Sequence, residues 1–209
     1  MQPAFPLLLA AIVGFTHALE ADHLLAVSSM VTRRTSLRLA VRDGIAWGLG
    51  HTSTIVLIGL LMIALRVGIT EGVFHWFEAA VGLMLLGLGV WRLYKVLKHR
   101  RLHQNHIEHD HSHDHKMAYG VGLVHGLAGS GALVLLVMTQ MTGRMEALGY
   151  LLIFGLGSVA GMALASSIFH LPFSRKLASS FALQLGLTVL SSVLCMGFGA
   201  KLVYENLLA

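Results

Sequence analysis

The chain has 209 residues, of which 56% are hydrophobic and 12% charged, and its mean hydropathy is +0.73. A water-soluble domain of this length carries far more surface charge, so the composition excludes one. Cys195 is the single cysteine, which excludes a disulfide framework and a thiolate metal centre; the formal charge of +5 fits basic loops flanking membrane helices better than a nucleic-acid-binding face.

Apolar runs of about twenty residues or more, the length needed to cross a hydrocarbon layer of roughly 30 Å, predict an all-α membrane protein. Six transmembrane helices are expected, at 4–30, 43–66, 73–97, 117–141, 145–169 and 178–205. The 23 glycines fit helices that approach closely in lipid. The first run is expected to be a span rather than a cleaved leader. It lacks a basic start, continues past Leu25, and carries His17, Glu20, Asp22 and His23.

Lys and Arg sort by alternate side of these spans. One side receives twelve, from Arg33 and Arg34 through Lys116 to Arg175 and Lys176; the other receives only Arg66, Arg144 and Lys201. The excess marks the cytoplasmic side, which places both termini outside and the long third connection inside an inner, or plasma, membrane.

The two halves also resemble each other. Gly14-Phe-Thr-His17-Ala-Leu19 aligns with Gly122-Leu-Val-His125-Gly-Leu127, Trp47-Gly-Leu-Gly50 with Phe154-Gly-Leu-Gly157, and Gly87-Leu-Gly89 with Gly197-Phe-Gly199. The offsets, 108, 107 and 110, hold across all three helix pairs. The expected organisation is a three-helix repeat at 1–97, a His-rich cytoplasmic loop at 98–116, and a second repeat at 117–209. An odd number of helices per repeat inverts the second copy, an architecture shared by many secondary transporters.

The most informative segment is His17-Ala-Leu-Glu20-Ala-Asp22-His23, four ionisable side chains within seven residues of one span. Each charge there costs a few kcal/mol unless it is compensated. Two imidazoles and two carboxylates are a poor structural glue and a good ligand set for a borderline divalent ion such as nickel or cobalt. Calcium and magnesium prefer an all-oxygen shell. On a regular helix, at about 100° per residue, His17, Glu20 and His23 share an arc of about 120°, while Asp22 lies about 140° from His17. Either Asp22 serves another partner or the helix is broken here. At about 1.5 Å per residue, His23 lies roughly 10 Å from the cytoplasmic ends, and His51 and His125 roughly 12 Å, so all three join the candidate metal set. Glu20, Ser53, Ser130 and Glu78 are candidate positions along an ion pathway, although Glu78 equally suits an interfacial charge.

Between His99 and His115 lie seven histidines. His103, His106, His109, His111, His113 and His115 alternate with Asp, Asn and Glu as a flexible chelator for late transition metals. No core can form there, so the segment is expected to be disordered and to tune transport rather than form the pathway.

The stretch from His17 to His23 resembles the His-x4-Asp-His signature of nickel/cobalt permeases, the NiCoT group. Leu49-Gly-His51-Thr-Ser53 resembles that family's second signature, and His125-Gly-Leu-Ala-Gly-Ser130-Gly resembles its short urease-accessory subgroup. The resemblance implies metal recognition by His17, Asp22, His23 and His51, with Ni2+ or Co2+ as the transported ion and no prosthetic group. It also implies import, with cytoplasmic metallochaperones or urease-type nickel enzymes downstream. Longer members have an additional helix before the first signature, and an acidic residue where this chain has Ala128-Gly-Ser130. Three readings compete with a self-sufficient importer: a metal exporter, the membrane subunit of a multiprotein ATP-driven importer, and a membrane metalloenzyme. No Gly-x4-Gly-Lys-[Ser/Thr] run exists in the chain, so it binds no nucleotide through such a loop.

Overall fold

A computed structural model describes residues 4–31, 36–65, 71–101, 111–128, 143–173 and 181–209. The described residues form α-helices joined by turns, with no strand among them: α1 (Ala4–His17), α2 (Ala21–Val31), α3 (Leu37–Leu65), α4 (Glu71–Arg101), α5 (His111–His125), α6 (Arg144–His170) and α7 (Phe181–Leu207). A short 3-10 turn, Leu171–Phe173, follows α6. In lipid a backbone polar group finds no water, so the helix, which satisfies its own, is the natural form for these apolar runs.

Among the described residues, four helices are long and apolar enough to cross a membrane: α3, α6, Gly72–Lys98 of α4 and Ala182–Leu207 of α7. The first expected span is instead two helices, Leu7–His17 and Ala21–Met30, bent by 57° at their junction, and makes a fifth if it crosses as one unit. Of the expected fourth span, residues 111–128 are described and the remainder lies outside the described residues. Both ends of the expected His-rich loop are helical, and residues 102–110 lie outside the described residues. α4 runs on to Arg101 and α5 begins at His111, so the Asp-His alternation at 111–115 forms helical turns rather than a disordered tether.

The packing rests on close backbone approach. α3 lies antiparallel to α6, with Gly44 against Met162 and Ser166, Gly48 against Val159, and Gly59 against Leu151. α4 lies antiparallel to α7, with Gly82 and Gly199 meeting face to face and Gly89 against Ser192 and Met196. α1 packs on α6, and α5 packs on α3. A Cβ added to Gly14 would run into the Phe154 carbonyl, and one added to Gly122 into the Trp47 carbonyl. Gly157 sits in the same way against the Ala11 carbonyl, and Gly50 against that of Tyr119. Trp47, Phe154, Ile55, Leu85, Leu151 and Met162 fill the interior, while Leu8, Leu57, Leu83, Leu156 and Leu190 project outward as a lipid-facing surface would require. Arg92 of α4 is buried and donates from Nη1 to the Ser28 carbonyl at 2.7 Å, placing a cation at the C-terminal end of α2.

These approaches predict a contrast that thermal melting of the purified protein would read. Gly14→Val and Gly122→Val should each destabilise the fold by at least the roughly 1–3 kcal/mol of an overpacked core. Gly87→Val, facing open space, should leave the melting temperature near that of the native chain.

Candidate metal centre

Two helices stop at a histidine inside the bundle, and they stop in the same way. α1 ends at His17. The Ala18 amide still donates to the Gly14 carbonyl (3.3 Å), but the Leu19 amide turns to that of Thr16 (2.9 Å). α5 ends at His125, where the Gly126 amide donates to Gly122 (2.8 Å) and that of Leu127 to Val124 (3.1 Å). The last carbonyls of a helix carry partial negative charge, so both ends favour a cation. After α1 the Glu20 amide donates to the His17 carbonyl at 3.0 Å, and α2 starts at Ala21 in a new direction.

The break settles the direction of Asp22, which a continuous helix would have turned away. One carboxylate oxygen, Oδ1, accepts from the His23 backbone amide (2.8 Å) and from its ring Nδ1 (3.0 Å). The other, Oδ2, accepts from His125 Nε2 at 2.9 Å. His17 Nδ1 pairs with Glu20 Oε1 at 2.9 Å. A carboxylate is an acceptor only, so each of these ring nitrogens donates, and the opposite nitrogen of each neutral ring carries a lone pair.

Those opposite nitrogens are buried and unpartnered among the described residues: His17 Nε2, His23 Nε2 and His125 Nδ1, together with both nitrogens of His51. His51 and His125 are fully buried and His23 is 1% exposed. The ring centroids of His17, His23 and His51 lie 4.7, 5.4 and 5.1 Å apart, and those of His23 and His125 only 4.1 Å. A buried polar atom without a partner costs about 1–3 kcal/mol, and five on four neighbouring imidazoles is the arrangement expected of a ligand set. Two triads have donor atoms within 4.8 Å of one another: His17, His23 and His51, and Asp22, His23 and His125. Nitrogen-rich sets with one carboxylate suit nickel, cobalt or zinc.

All five expected metal residues therefore come together. Glu20 is more than half exposed and touches the cluster only through His17. Ser53 lies on an exposed face of α3, where its hydroxyl donates to the Leu49 carbonyl (2.7 Å) and accepts from Tyr119 (3.3 Å), so it is not brought to the cluster. Glu78 is half-buried on α4, which contributes nothing to either triad. Ser130, His103, His106 and His109 lie outside the described residues; His111 and His113 are placed as backbone in α5. His115 pairs through Nδ1 with Oδ1 of the buried Asp43 at 2.5 Å, tying the start of α5 to α3.

Two aromatic residues escaped the sequence reading. Phe154 flanks His17, with centroids 5.6 Å apart, and Trp47 flanks His23 and His125 at 5.6 and 5.7 Å. The signal was present for Trp47, which precedes His51 by one helical turn and so shares its face.

The chain is 34% identical over 176 residues to "Urease accessory protein UreH" of Bacillus sp. (strain TB-90), covering 80% of this chain and 77% of that one. It is 30% identical over 169 residues to "Putative nickel/cobalt efflux system MJ1092" of Methanocaldococcus jannaschii, covering 75% and 73%. A third relative, "Chloroplast protein FOR GROWTH AND FERTILITY 2" of Arabidopsis thaliana, is 24% identical over 204 residues, 92% of this chain and 54% of that one. No family model matches the chain, and no solved structure does.

As a metal-binding set, the cluster should separate ligands from the groups that orient them. In Co2+ titrations of the purified protein, Glu20→Gln is expected to weaken binding about tenfold, as loss of a ligand's orienting partner does, and His17→Ala by more, about a hundredfold. Equal losses would make Glu20 a ligand in its own right.

Proposed function

Because the chain belongs to the nickel/cobalt permease family, we propose that it carries Ni2+, and Co2+ less selectively, inward across the plasma membrane through the histidine cluster. The observation that carries this reading is the convergence of His17, His23, His51, His125 and Asp22 at the ends of two helices that stop inside a multi-pass bundle. Discontinuous helices whose ends meet an ion near the midplane are a general solution for secondary transport. Polar groups at that depth have a function far more often than not. The chain acts here as a carrier and not as an enzyme.

In this proposal six spans form two inverted repeats, with both termini outside. Contacts between the halves support it. In the register set by offsets of 107 to 110, Gly14 against Phe154 is the counterpart of Gly122 against Trp47. Gly157 against Ala11 corresponds to Gly50 against Tyr119, and Gly89 against Ser192 to Gly199 against Gly82. The bonds from the Ala18 and Leu19 amides at the end of α1 recur at the end of α5, from Gly126 and Leu127. The His-rich segment at 98–116 would buffer the ion on the cytoplasmic side, with His115 and Asp43 marking where it joins the bundle.

The relatives favour opposite directions. Export is the second reading, supported by the relative named as an efflux system. The name that points to urease supports import, since a cytoplasmic nickel enzyme needs its metal delivered inside.

Radiolabelled Ni2+ flux into liposomes that hold this chain alone tests the proposal. Saturable uptake is expected, with His17→Ala and Asp22→Asn each folded and without measurable flux. Normal transport by either variant would sink the proposed site. Dependence of all flux on a further ATP-hydrolysing subunit would assign the chain to a multiprotein importer instead.

A further inference from the structure

The two triads share one residue, His23. His23 turns Nδ1 toward Asp22 and, through Asp22, toward His125. Its Nε2 is buried, unpartnered, and belongs to the histidine that stands 4.7 Å from His17 and 5.1 Å from His51, centroid to centroid. We infer that the cluster is two ion positions rather than one, and that the ion crosses by passing from His17/His23/His51 to Asp22/His23/His125 with His23 as the common ligand. This rests on the reading of the chain as a metal carrier with inverted repeats.

His17 and His125 are counterparts under the offset of 108, each the last residue of its helix. Phe154 and Trp47 are counterparts too, and each flanks the histidine of its own position, at 5.6 and 5.7 Å. Inverted repeats place such counterparts on opposite sides of the midplane, so transfer between them is progress across the membrane. The two positions differ in one respect: the first is three neutral nitrogens, the second two nitrogens and a carboxylate. His51 has Ser158 as its counterpart, whose hydroxyl is already engaged with the carbonyls of Gly14 and Phe154 at 3.1 Å each.

Proton accounting is consistent with the transfer. For the second position to form, the proton on Nδ1 of His23 and that on Nε2 of His125 must leave the bonds they make to Asp22. A neutral imidazole keeps its proton on either nitrogen. On His23 the other nitrogen is the one that the departing ion vacates, and on His125 it is the unpartnered Nδ1. With water carrying each proton from one ring nitrogen to the other, both rings stay neutral and no proton is gained or lost. Simultaneous occupation is disfavoured, since two dications would then share one imidazole.

The test pairs Co2+ binding in detergent with Ni2+ flux in liposomes, on the full chain. His125→Ala should cut flux tenfold or more while its Co2+ affinity falls by less than that of His51→Ala, because only the second position is lost. His51→Ala should lose binding and flux together, by about tenfold or more. His125→Gln, closer in volume, repeats the first measurement should the alanine variant not fold. If the His125 variants lose binding and flux in equal measure, the cluster is one site and the inference is overturned; unchanged flux would overturn it as well. A native chain that binds Co2+ but moves no ion would count against the carrier reading itself.

Discussion

A helix that ends inside a hydrocarbon layer leaves its last carbonyls with neither water nor a following turn to satisfy them. Two such ends, at His17 and His125, set the terms for the remainder of this molecule. The 3-10-type turns that follow each end satisfy some of the freed groups. The others add negative potential beside an imidazole cluster, where a cation is the natural complement. Other features follow from bringing those ends together. The Gly14 and Gly122 contacts let α1 and α5 approach the backbones of α6 and α3 closely, which no larger residue would allow. The α3–α6 pair then holds His51, Trp47 and Phe154 against the two stopped ends.

With no ion bound, the carboxylates orient the imidazoles. Asp22 fixes His23 and His125 at once, and Glu20 does the same for His17 from a more exposed place. Each leaves a lone pair on the opposite nitrogen. That is the usual division of labour in metal sites, where a carboxylate behind the imidazole sets tautomer and ring direction. His51 has no such partner, and both of its nitrogens are unpartnered among the described residues.

How much of this was legible from residues alone varies with the kind of signal. The clustering of His17, Asp22, His23, His51 and His125 was, because ionisable groups in an apolar run are costly enough to stand out and because depth along a helix is simple arithmetic. The direction of Asp22 was not. Helical spacing turned it away from His17, and only the 57° bend after His17 brings it back. No glycine or proline at 18–20 announces that bend. Ser53 was misleading because a hydroxyl next to His51 in sequence lies about 200° from it on a helix at two residues' remove. The extension of helix to His111 went unforeseen because His and Asp are weak helix formers, while the bond from His115 to the buried Asp43 is a tertiary contact. The internal likeness of the halves was visible as an offset, and its contacts were not.

The pairing of helices across the halves bears on how the chain is made. α1 rests on α6, and α3 on both α5 and α6, so the first half to leave the ribosome is without its main packing partners for much of synthesis. His17, Asp22 and His23 must enter the bilayer before His125 exists to accept a place beside Asp22. During that interval the fourteen-residue apolar helix α1, which ends on His17, and the start of α2 with Asp22 and His23 lack these partners. The packing of the first segment is therefore completed only once α6, in the last third of the protein, has been made.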